Sequence, residues 1–241
     1  MIIVTGASDN HYFTLIQFIN SFIKNNINGN LIIYDLGIHE KRWTELQEKY
    51  TSYNFSFKVF EYTKYPDWFD INVNRGEYAW KPAIIYETYK EFDNEIIIWM
   101  DSGNLFLNNL NDLVSFIERN YIHSGITSGN IQNWTHPNTI NLLGCNDIYK
   151  PNRNGACIGF NTRVTWVKEF IETYHQYCSN KDAIAPLGSS RENHRQDQAV
   201  FTILFYKFLD KYKFTNYTNK TWNVFIGYSI HNDIGGSDNP R

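Results

Sequence analysis

The sequence predicts an α/β protein in which a mostly parallel central sheet is flanked by helices. Short apolar strands alternate with helices through the first half of the chain, which is typical of parallel sheets with right-handed crossovers. The chain has 241 residues, 42% of them hydrophobic, and can bury a sizeable core. Because neither a linker nor an internal repeat interrupts the pattern, we expect a single domain over residues 1–241.

The first half of the chain shows the alternation most clearly. The apolar run Ile2–Gly6 predicts a buried strand, and apolar residues at helical spacing from Tyr12 onward predict the helix that follows it. A second strand, a polar helix and a third strand are predicted, in that order, at Asn30–Gly37, Glu40–Tyr50 and Phe55–Tyr62.

The second half is less regular. After a loop over Pro66–Gly76, a helix from about Ala79 to Phe92 leads into an apolar strand that ends at Asp101. The pattern weakens through Asn133–Pro151, which is rich in turn-forming residues. The remaining predicted elements are a short helix near Asn111–Arg119, a strand at Ala156–Asn161, a helix at Thr165–Cys178, a long helix with its apolar face at Val200, Ile203, Leu204 and Phe208, and a last strand near Trp222–His231.

The composition argues against some partners. The formal net charge of −3 shows no basic bias, so nucleic acid is not an expected partner. No apolar run reaches the length of a membrane span, and the first residues already read as a strand rather than a leader peptide. The three cysteines lack metal-ligand spacing, which favours reduced thiols. We therefore expect a soluble, cytoplasmic protein.

Polar residues follow several of the predicted strands. In open α/β sheets, ligands bind beyond the carboxyl ends of the strands, where the strand order reverses. This rule places four polar stretches at one edge of the predicted sheet: Gly6–Tyr12, Asp35, Asp101–Asn104 and Asn161.

The opening "VTGASDNHY" resembles the start of a dinucleotide-binding fold only in part. The full fingerprint needs two further glycines so that the backbone can approach a pyrophosphate, and Asp9, Asn10 and His11 stand there instead. A carboxylate at this point would repel a phosphate, which argues against an oxidoreductase. Asp9 could instead accept hydrogen bonds from a base or ribose, or simply cap the helix that follows.

Asp101 closes the longest apolar run of the chain, "EIIIWMD". A long apolar run indicates a central strand, so we favour a functional carboxylate over a turn residue. Farther along, Asn154 and Gly155 precede an apolar strand. They form either a turn that aims an amide at the same edge or an ordinary loop whose glycine allows positive φ.

Four polar side chains crowd the start of the last long helix: His194, Arg195, Asp197 and Gln198. A helix N-terminus attracts acids because of its dipole, so Asp197 alone could be a capping residue. His194 and Arg195 gain nothing from that dipole. We therefore expect these residues to have a functional role.

In this order, these motifs resemble those of GT-A-type glycosyltransferases, closest in pattern to the glycogenin and lipopolysaccharide galactosyltransferase family. Ala7, Asp9 and Tyr12 match the family's "A-x-D-x-x-Y" turn, which implies that they hold the nucleotide. "WMDSG" resembles its metal motif, and the segment Asn154–Asn161 is similar to its "N-x-G" strand. Asp197–Gln198 resemble the start of its "D-Q-D" motif. More narrowly, the series from "GEYAWKP" to "HRQDQ" looks like a poorly characterised branch of such proteins.

The resemblance implies a hexosyltransferase-like enzyme with this fold. It would move a sugar from a nucleotide-diphosphate donor, UDP-sugar favoured, to a hydroxyl of a glycan, a protein or a small molecule. Retention of configuration is implied, with Asp197 or Gln198 near the anomeric carbon. Asp101 and the late His231 would bind Mn²⁺ or Mg²⁺ together with the diphosphate. If the reaction instead inverts, Asp197 becomes the general base for the acceptor.

The chain departs from the family pattern in ways that keep alternatives open. Gly103 stands where the metal motif has its second acid, and Ala199 where "D-Q-D" has its last. In a metal-independent mode, Lys81, Arg153 or Arg195 would neutralise the diphosphate while Asp101 holds the ribose or the sugar. An inactive carbohydrate- or nucleotide-binding domain is a second reading, and a Rossmann-type oxidoreductase a more distant third.

Overall fold

A computed structural model describes residues 1–215, residue 217 and the backbone of residues 226–228. His231, predicted as a metal ligand, lies outside these residues, as does most of the last predicted strand. The strands are β1 (Ile2–Ala7), β2 (Asn30–Asp35), β3 (Phe55–Val59), β4 (Ile96–Met100), β5 (Asn104–Phe106), β6 (Ile122–Asn130), β7 (Pro151–Asn161) and β8 (Ile226–Tyr228).

Helices connect and cover these strands. They are α1 (Tyr12–Lys24), α2 (Glu40–Lys49), α3 (Trp80–Glu91), α4 (Asn111–Asn120), α5 (Ile131–Trp134), α6 (Pro137–Leu142), α7 (Thr165–Cys178), α8 (Lys181–Ile184) and α9 (Gln196–Lys211). None of the helices within the described residues is long and apolar enough to cross a membrane.

The central sheet has six strands in the order β3-β2-β1-β4-β7-β6, and β5 pairs separately with β8. Strands β1 to β4 are mutually parallel, as expected from the crossovers between them. Strand β7 runs antiparallel to β4, and β6 antiparallel to β7. The predicted α/β class, with a central sheet between helices, is confirmed.

The direction of β7 corrects one sequence prediction. Asn161 pairs with Ile96 at the start of β4, so it lies at the opposite end of the strand from Asp101. The expectation failed because the apolar pattern of a strand does not encode its direction. The antiparallel course instead brings Asn154 and Gly155, inside β7, to the edge where β4 ends.

Alternation along β4 decides which way Asp101 points. Ile97 and Trp99 pack into one core cluster with α3, α7 and α9, whereas Ile96, Ile98 and Met100 pack into a second cluster with α1 and α4. Successive strand residues face opposite sides, so Asp101 falls on the Trp99 side. The end of β4 therefore presents its carboxylate toward α3 and α9.

Strand β6 was not predicted. Its sequence, "IHSGITSGN", contains glycine, serine and histidine, and two register shifts interrupt its pairing with β7. Small and polar residues carry little hydrophobic signal, and a bulge breaks the period of two on which strand prediction depends.

Candidate functional site

Lys81 is the centre of the polar cluster at the carboxyl edge of the sheet. It stands in the first turn of α3 and is 5% exposed. Its Nζ lies 3.1 Å from Oδ1 of Asp101, 3.4 Å from Oδ2 of Asp197 and 3.3 Å from the carbonyl oxygen of Gly155. An ammonium has three N–H donors. These three protein oxygens therefore match its full donor capacity.

Residues of strands β4 and β7 hold Asp101 in position. Its backbone N–H donates to the carbonyl of Ala156 across the β4–β7 pair, at 2.9 Å. The indole Nε1 of Trp99 donates to Oδ1 of Asp101 at 2.7 Å, from two residues earlier on the same face. Oδ2 of Asp101 has no hydrogen-bond partner among the described residues, and 41% of the side chain is exposed.

Asp197 is the buried counterpart of Asp101. It stands in the first turn of α9, where the helix dipole favours a carboxylate. Oδ2 accepts a hydrogen bond from the hydroxyl of Tyr174, on α7, at 3.2 Å, in addition to its contact with Lys81. The structure records no partner for Oδ1 of Asp197 within the described ranges.

Burial and charge act in opposite directions on this cluster. Burial disfavours the charged form of Lys81, but Asp101 and Asp197 outweigh it and raise the Lys81 pKa above its usual value. Burial raises the pKa of Asp197, opposed by Lys81 and reinforced by Asp101. Burial, with Asp197 nearby, also raises the pKa of the Tyr174 hydroxyl, which therefore stays protonated and donates its hydrogen bond.

An unusual turn sets the position of Lys81. Residues Asn74–Tyr78, just before α3, all have positive φ and form a left-handed turn. At Gly76, with φ +59°, an added Cβ would lie 2.1 Å from the carbonyl oxygen of Phe69, so only glycine fits. The indole of Trp80 donates to the carbonyl of Arg75 at 3.0 Å and ties this turn to the helix start.

The wall opposite Lys81 is formed by β7 and the start of α9. Oδ1 of Asn154 accepts from the backbone N–H of Ala156 at 2.6 Å, which fixes its amide within the strand. A Cβ added at Gly155 would lie 3.5 Å from Cβ of Gln198 and 3.7 Å from Oδ2 of Asp197. Gly155 and Gln198 therefore lie beside each other at this edge, and Asn154 and Gly155 belong to strand β7 rather than to a turn or loop before it.

The predicted nucleotide residues lie at the end of β1. Ala7 ends the strand and is buried, as is Tyr12 at the start of α1. Oδ1 of Asp9 accepts from the backbone N–H of His39 at 2.9 Å, and Oδ2 accepts from Arg42 at 2.7 Å. Arg42 also lies over the ring of Tyr12, 5.2 Å from its centroid. No feature of the sequence distinguished Arg42, which is one basic residue in a polar helix.

The two residues just before α9, His194 and Arg195, have different surroundings. His194 is fully buried; its Nδ1 accepts from the backbone N–H of His136 at 3.1 Å, and Nε2 lies 2.8 Å from the carbonyl of Ile184. It is therefore a structural residue that joins two loops, and the functional expectation for it is not supported. The guanidinium of Arg195 lies 4.1 Å from the ring centroid of Trp134 and is half-buried.

The described residues do not fit a divalent cation. Hard cations prefer several oxygen ligands, and the ammonium of Lys81 already lies between the two carboxylates. Asn104, three residues after Asp101, is fully buried: its Nδ2 donates to the carbonyl of Ala156 at 2.7 Å, and its Oδ1 has no hydrogen-bond partner among the described residues. No group of three or more His, Cys, Asp or Glu suited to a metal occurs in the part of the chain that the structure describes.

Arg153, an alternative partner for the diphosphate, points elsewhere. It is 1% exposed, and its guanidinium donates to the hydroxyl of Tyr206 and to the carbonyl of Ser124. The same group lies 4.1 Å from the ring centroid of Phe205. Arg153 is thus part of the packing between β6, β7 and α9.

Residues 1–86 match the model of a family described as a protein of unknown function, DUF1647. No curated protein matches the chain.

Solved structures show the fold. The bifunctional glycosyltransferase WbbM, in its apo form, aligns with a TM-score of 0.57 at 16% identity, over 86% of this chain and 37% of that one. The galactosyltransferase LgtC, with donor and acceptor sugar analogues, gives 0.55 at 15% identity, over 96% of this chain and 88% of that one. Mouse xyloside xylosyltransferase 1 gives 0.53 at 11% identity, over 98% and 99% of the two chains.

The chain therefore has the GT-A fold of these transferases, while it spans little more than a third of the WbbM chain. None of the three is a glycogenin, so the narrower resemblance to glycogenin stays a prediction.

Proposed function

We propose that this chain transfers a sugar from a nucleotide-diphosphate donor, with UDP-sugars favoured, to a hydroxyl acceptor. One observation carries the proposal. The ammonium of Lys81 lies within 3.4 Å of a carboxylate oxygen of Asp101 and of Asp197, which come from distant parts of the sequence, at the carboxyl edge of a GT-A sheet. Such edges are where open α/β sheets bind their ligands. The three relatives in structure carry glycosyltransferase names, which supports the same chemistry here.

The donor nucleotide would lie along the end of β1. Ala7 ends that strand, Asp9 follows it, and Tyr12 begins helix α1. Both oxygens of Asp9 are engaged by His39 and Arg42, so the base or ribose would meet Asp9 and Arg42 as a pair. Asn154 and Arg195 would approach the diphosphate from the opposite wall.

The reacting sugar would lie between β4 and the start of α9. Glycosyl transfer develops positive charge at the anomeric carbon and negative charge on the leaving diphosphate. Oδ1 of Asp197, which has no hydrogen-bond partner among the described residues, and the amide of Gln198 would stabilise the positive centre or orient the sugar, in line with the retention that the family resemblance implies. Asp101, more exposed, would accept hydrogen bonds from the sugar or ribose hydroxyls.

A metal at Asp101 and His231 stays a prediction, because His231 lies outside the described residues. If it binds, a divalent cation would supply positive charge to the leaving diphosphate. Among the residues that the structure describes, Arg195, which lies over Trp134 just before α9, is the cation we assign to the diphosphate, since Lys81 already donates to three protein oxygens.

The proposal is tested by incubating the purified protein with a panel of UDP- and GDP-sugars and detecting the released nucleotide by mass spectrometry. Slow hydrolysis of at least one donor, lost in Asp197→Asn but kept in the surface variant Asp112→Asn, is the expected result. Nucleotide binding without turnover of any donor would favour the inactive binding domain. Binding of NAD(P) without nucleotide-sugar binding would overturn the proposal.

A further inference from the structure

We infer that Trp99, Lys81 and Tyr174 are positioning residues that fix one oxygen of each site carboxylate and leave the other oxygen of each to the substrate. The inference rests on the proposed function, since it assigns how Asp101 and Asp197 are held for that reaction. It also removes Lys81 from the set of groups that bind the diphosphate.

The two carboxylates are held in the same way. Oδ1 of Asp101 takes both the indole N–H of Trp99 and the ammonium of Lys81. Oδ2 of Asp197 takes both the hydroxyl of Tyr174 and the same ammonium. Over the described residues, Oδ2 of Asp101 and Oδ1 of Asp197 receive no hydrogen bond. Each carboxylate thus has one oxygen with two donors and one with none.

Two donors on one oxygen restrict rotation of a carboxylate. Lys81 joins the two groups, because its Nζ contacts both held oxygens and is anchored a third time by the carbonyl of Gly155. The two open oxygens therefore keep a fixed relation to each other. A site works only when its groups stay close to the productive geometry, and buried supporting residues provide this.

Core packing alone does not explain why these hydrogen-bond donors are present. Trp99 and Tyr174 are both 0% exposed, and each directs its polar atom to a carboxylate rather than to a backbone carbonyl. Burying a carboxylate, an ammonium and a phenol together is costly, and apolar side chains of similar volume would serve a core as well. The polar groups therefore serve the two carboxylates.

The decisive variant is Tyr174→Phe, which removes one hydroxyl and keeps the ring. The matched control is Tyr50→Phe, which removes a hydroxyl that donates to Oδ1 of Asn20 at 2.8 Å, in the core cluster that does not contain Tyr174. On a donor that the wild type hydrolyses, we expect kcat of Tyr174→Phe to fall on the order of tenfold with KM for the donor unchanged. Tyr50→Phe keeps both constants. An equal fall in kcat in both variants would indicate a general loss of packing and overturn the inference.

A second readout does not depend on turnover. The charged and titratable groups that face Asp197 are Lys81 from α3, Asp101 from β4, and Tyr174 and Cys178 from α7. Loss of the Tyr174 hydrogen bond removes a donor to the ionised carboxylate, so the pKa of Asp197 rises. NMR titration of ¹³C-labelled aspartate follows this directly, with the Asp197 signal identified by its absence in Asp197→Asn.

The two readouts separate the inference from the proposed function. If no donor is turned over but the Asp197 signal titrates at higher pH in Tyr174→Phe, the positioning contact stands and the proposed function fails. An unchanged titration overturns the positioning role whatever the activity. Trp99→Phe is a second variant, which removes the indole N–H that donates to Asp101. We expect a lower kcat with an unchanged KM, and a wild-type kcat would contradict the inference.

Discussion

The ammonium of Lys81 lies 3.1 Å from Oδ1 of Asp101, the carboxylate that closes the central strand of the sheet. The same ammonium contacts Asp197, so three charged groups from α3, β4 and α9 share one small volume with a net charge of about −1 when all are ionised. An arrangement of this kind is costly to bury. It indicates a site built for a ligand rather than for stability.

Replacing Asp101 by Asn should abolish most of the turnover of the donor while the fold is retained. Asparagine removes the charge and keeps the volume of the side chain. Because the Asp101 side chain is partly exposed, the fold should tolerate this change. We expect a loss of at least about a hundredfold in kcat/KM. Initial rates on the best donor and a thermal melt measure the two effects, with Asp112→Asn on α4 as the control. Wild-type activity in Asp101→Asn would contradict the central assignment.

Replacing Lys81 by Met should destabilise the fold by about 3 kcal/mol, because it leaves the buried carboxylate of Asp197 without its cation. The double variant Lys81→Met with Asp197→Asn should recover most of this loss, since no buried charge then remains. Urea unfolding of both variants measures the difference.

The control for Lys81 is Lys41→Met, at an exposed lysine that contacts Glu45 at 3.9 Å. It should leave the free energy of unfolding unchanged within about 0.5 kcal/mol. If the double variant is less stable than Lys81→Met alone, Lys81 does not compensate the charge of Asp197.

Gly76→Ala should destabilise the protein by about 2 kcal/mol or more. The residue has φ +59°, and its added Cβ would lie 2.1 Å from the carbonyl oxygen of Phe69. Gly103→Ala provides the contrast, because no heavy atom lies within 4 Å of its added Cβ. We expect the second change to stay within about 0.5 kcal/mol. Equal effects in urea unfolding would show that the left-handed turn is not required.

Stability should fall on acidification through the titration of His194. Burial lowers the pKa of this histidine from 6.5 to about 4, so the unfolded chain binds its proton first as the pH falls. Stability from this residue is therefore present above pH 6.5 and is lost as the pH falls toward 4. Between pH 7 and 5 the loss is about 2 kcal/mol. His123, whose pKa burial lowers to about 3, acts in the same direction.

The variant His194→Gln isolates this contribution from Asp197, whose raised pKa acts in the opposite direction. Urea unfolding at pH 7 and pH 5 should show a smaller loss in the variant than in the wild type. His39→Gln, at an exposed histidine, should show the wild-type loss. If His194→Gln loses as much stability as the wild type, His194 is not the group that titrates.

Local pattern was enough to predict the first half of the fold. Period-two and period-3.6 patterns placed β1, α1, β2 and α2 close to their observed bounds, because each of these elements buries one clear apolar face. The direction of β7 and the existence of β6 depend on which strands pair across the sheet. Pairing is a tertiary property that no local pattern contains, and Asn161 was misplaced for this reason.

The site shows the same division. Asp101, Asp197 and Lys81 could each be named from the sequence. Asp101 ends an apolar run, Asp197 stands in a cluster of polar residues at a helix start, and Lys81 is a basic residue that could neutralise a diphosphate. Tyr174 and Trp99 could not be separated from core residues, since their rings pack like any other buried aromatic and only the direction of one polar atom distinguishes them.

The most direct test of the account is calorimetric titration of the purified protein with UDP and GDP, each with and without Mn²⁺. We expect one nucleotide to bind with a stoichiometry of about one, and Arg42→Ala, beside Asp9, to weaken that binding. Binding that requires Mn²⁺ would support the metal predicted at Asp101 and His231, and binding without it would assign the diphosphate to basic side chains. If neither nucleotide binds under any of these conditions, the edge of the sheet around Asp101 is not a nucleotide-sugar site.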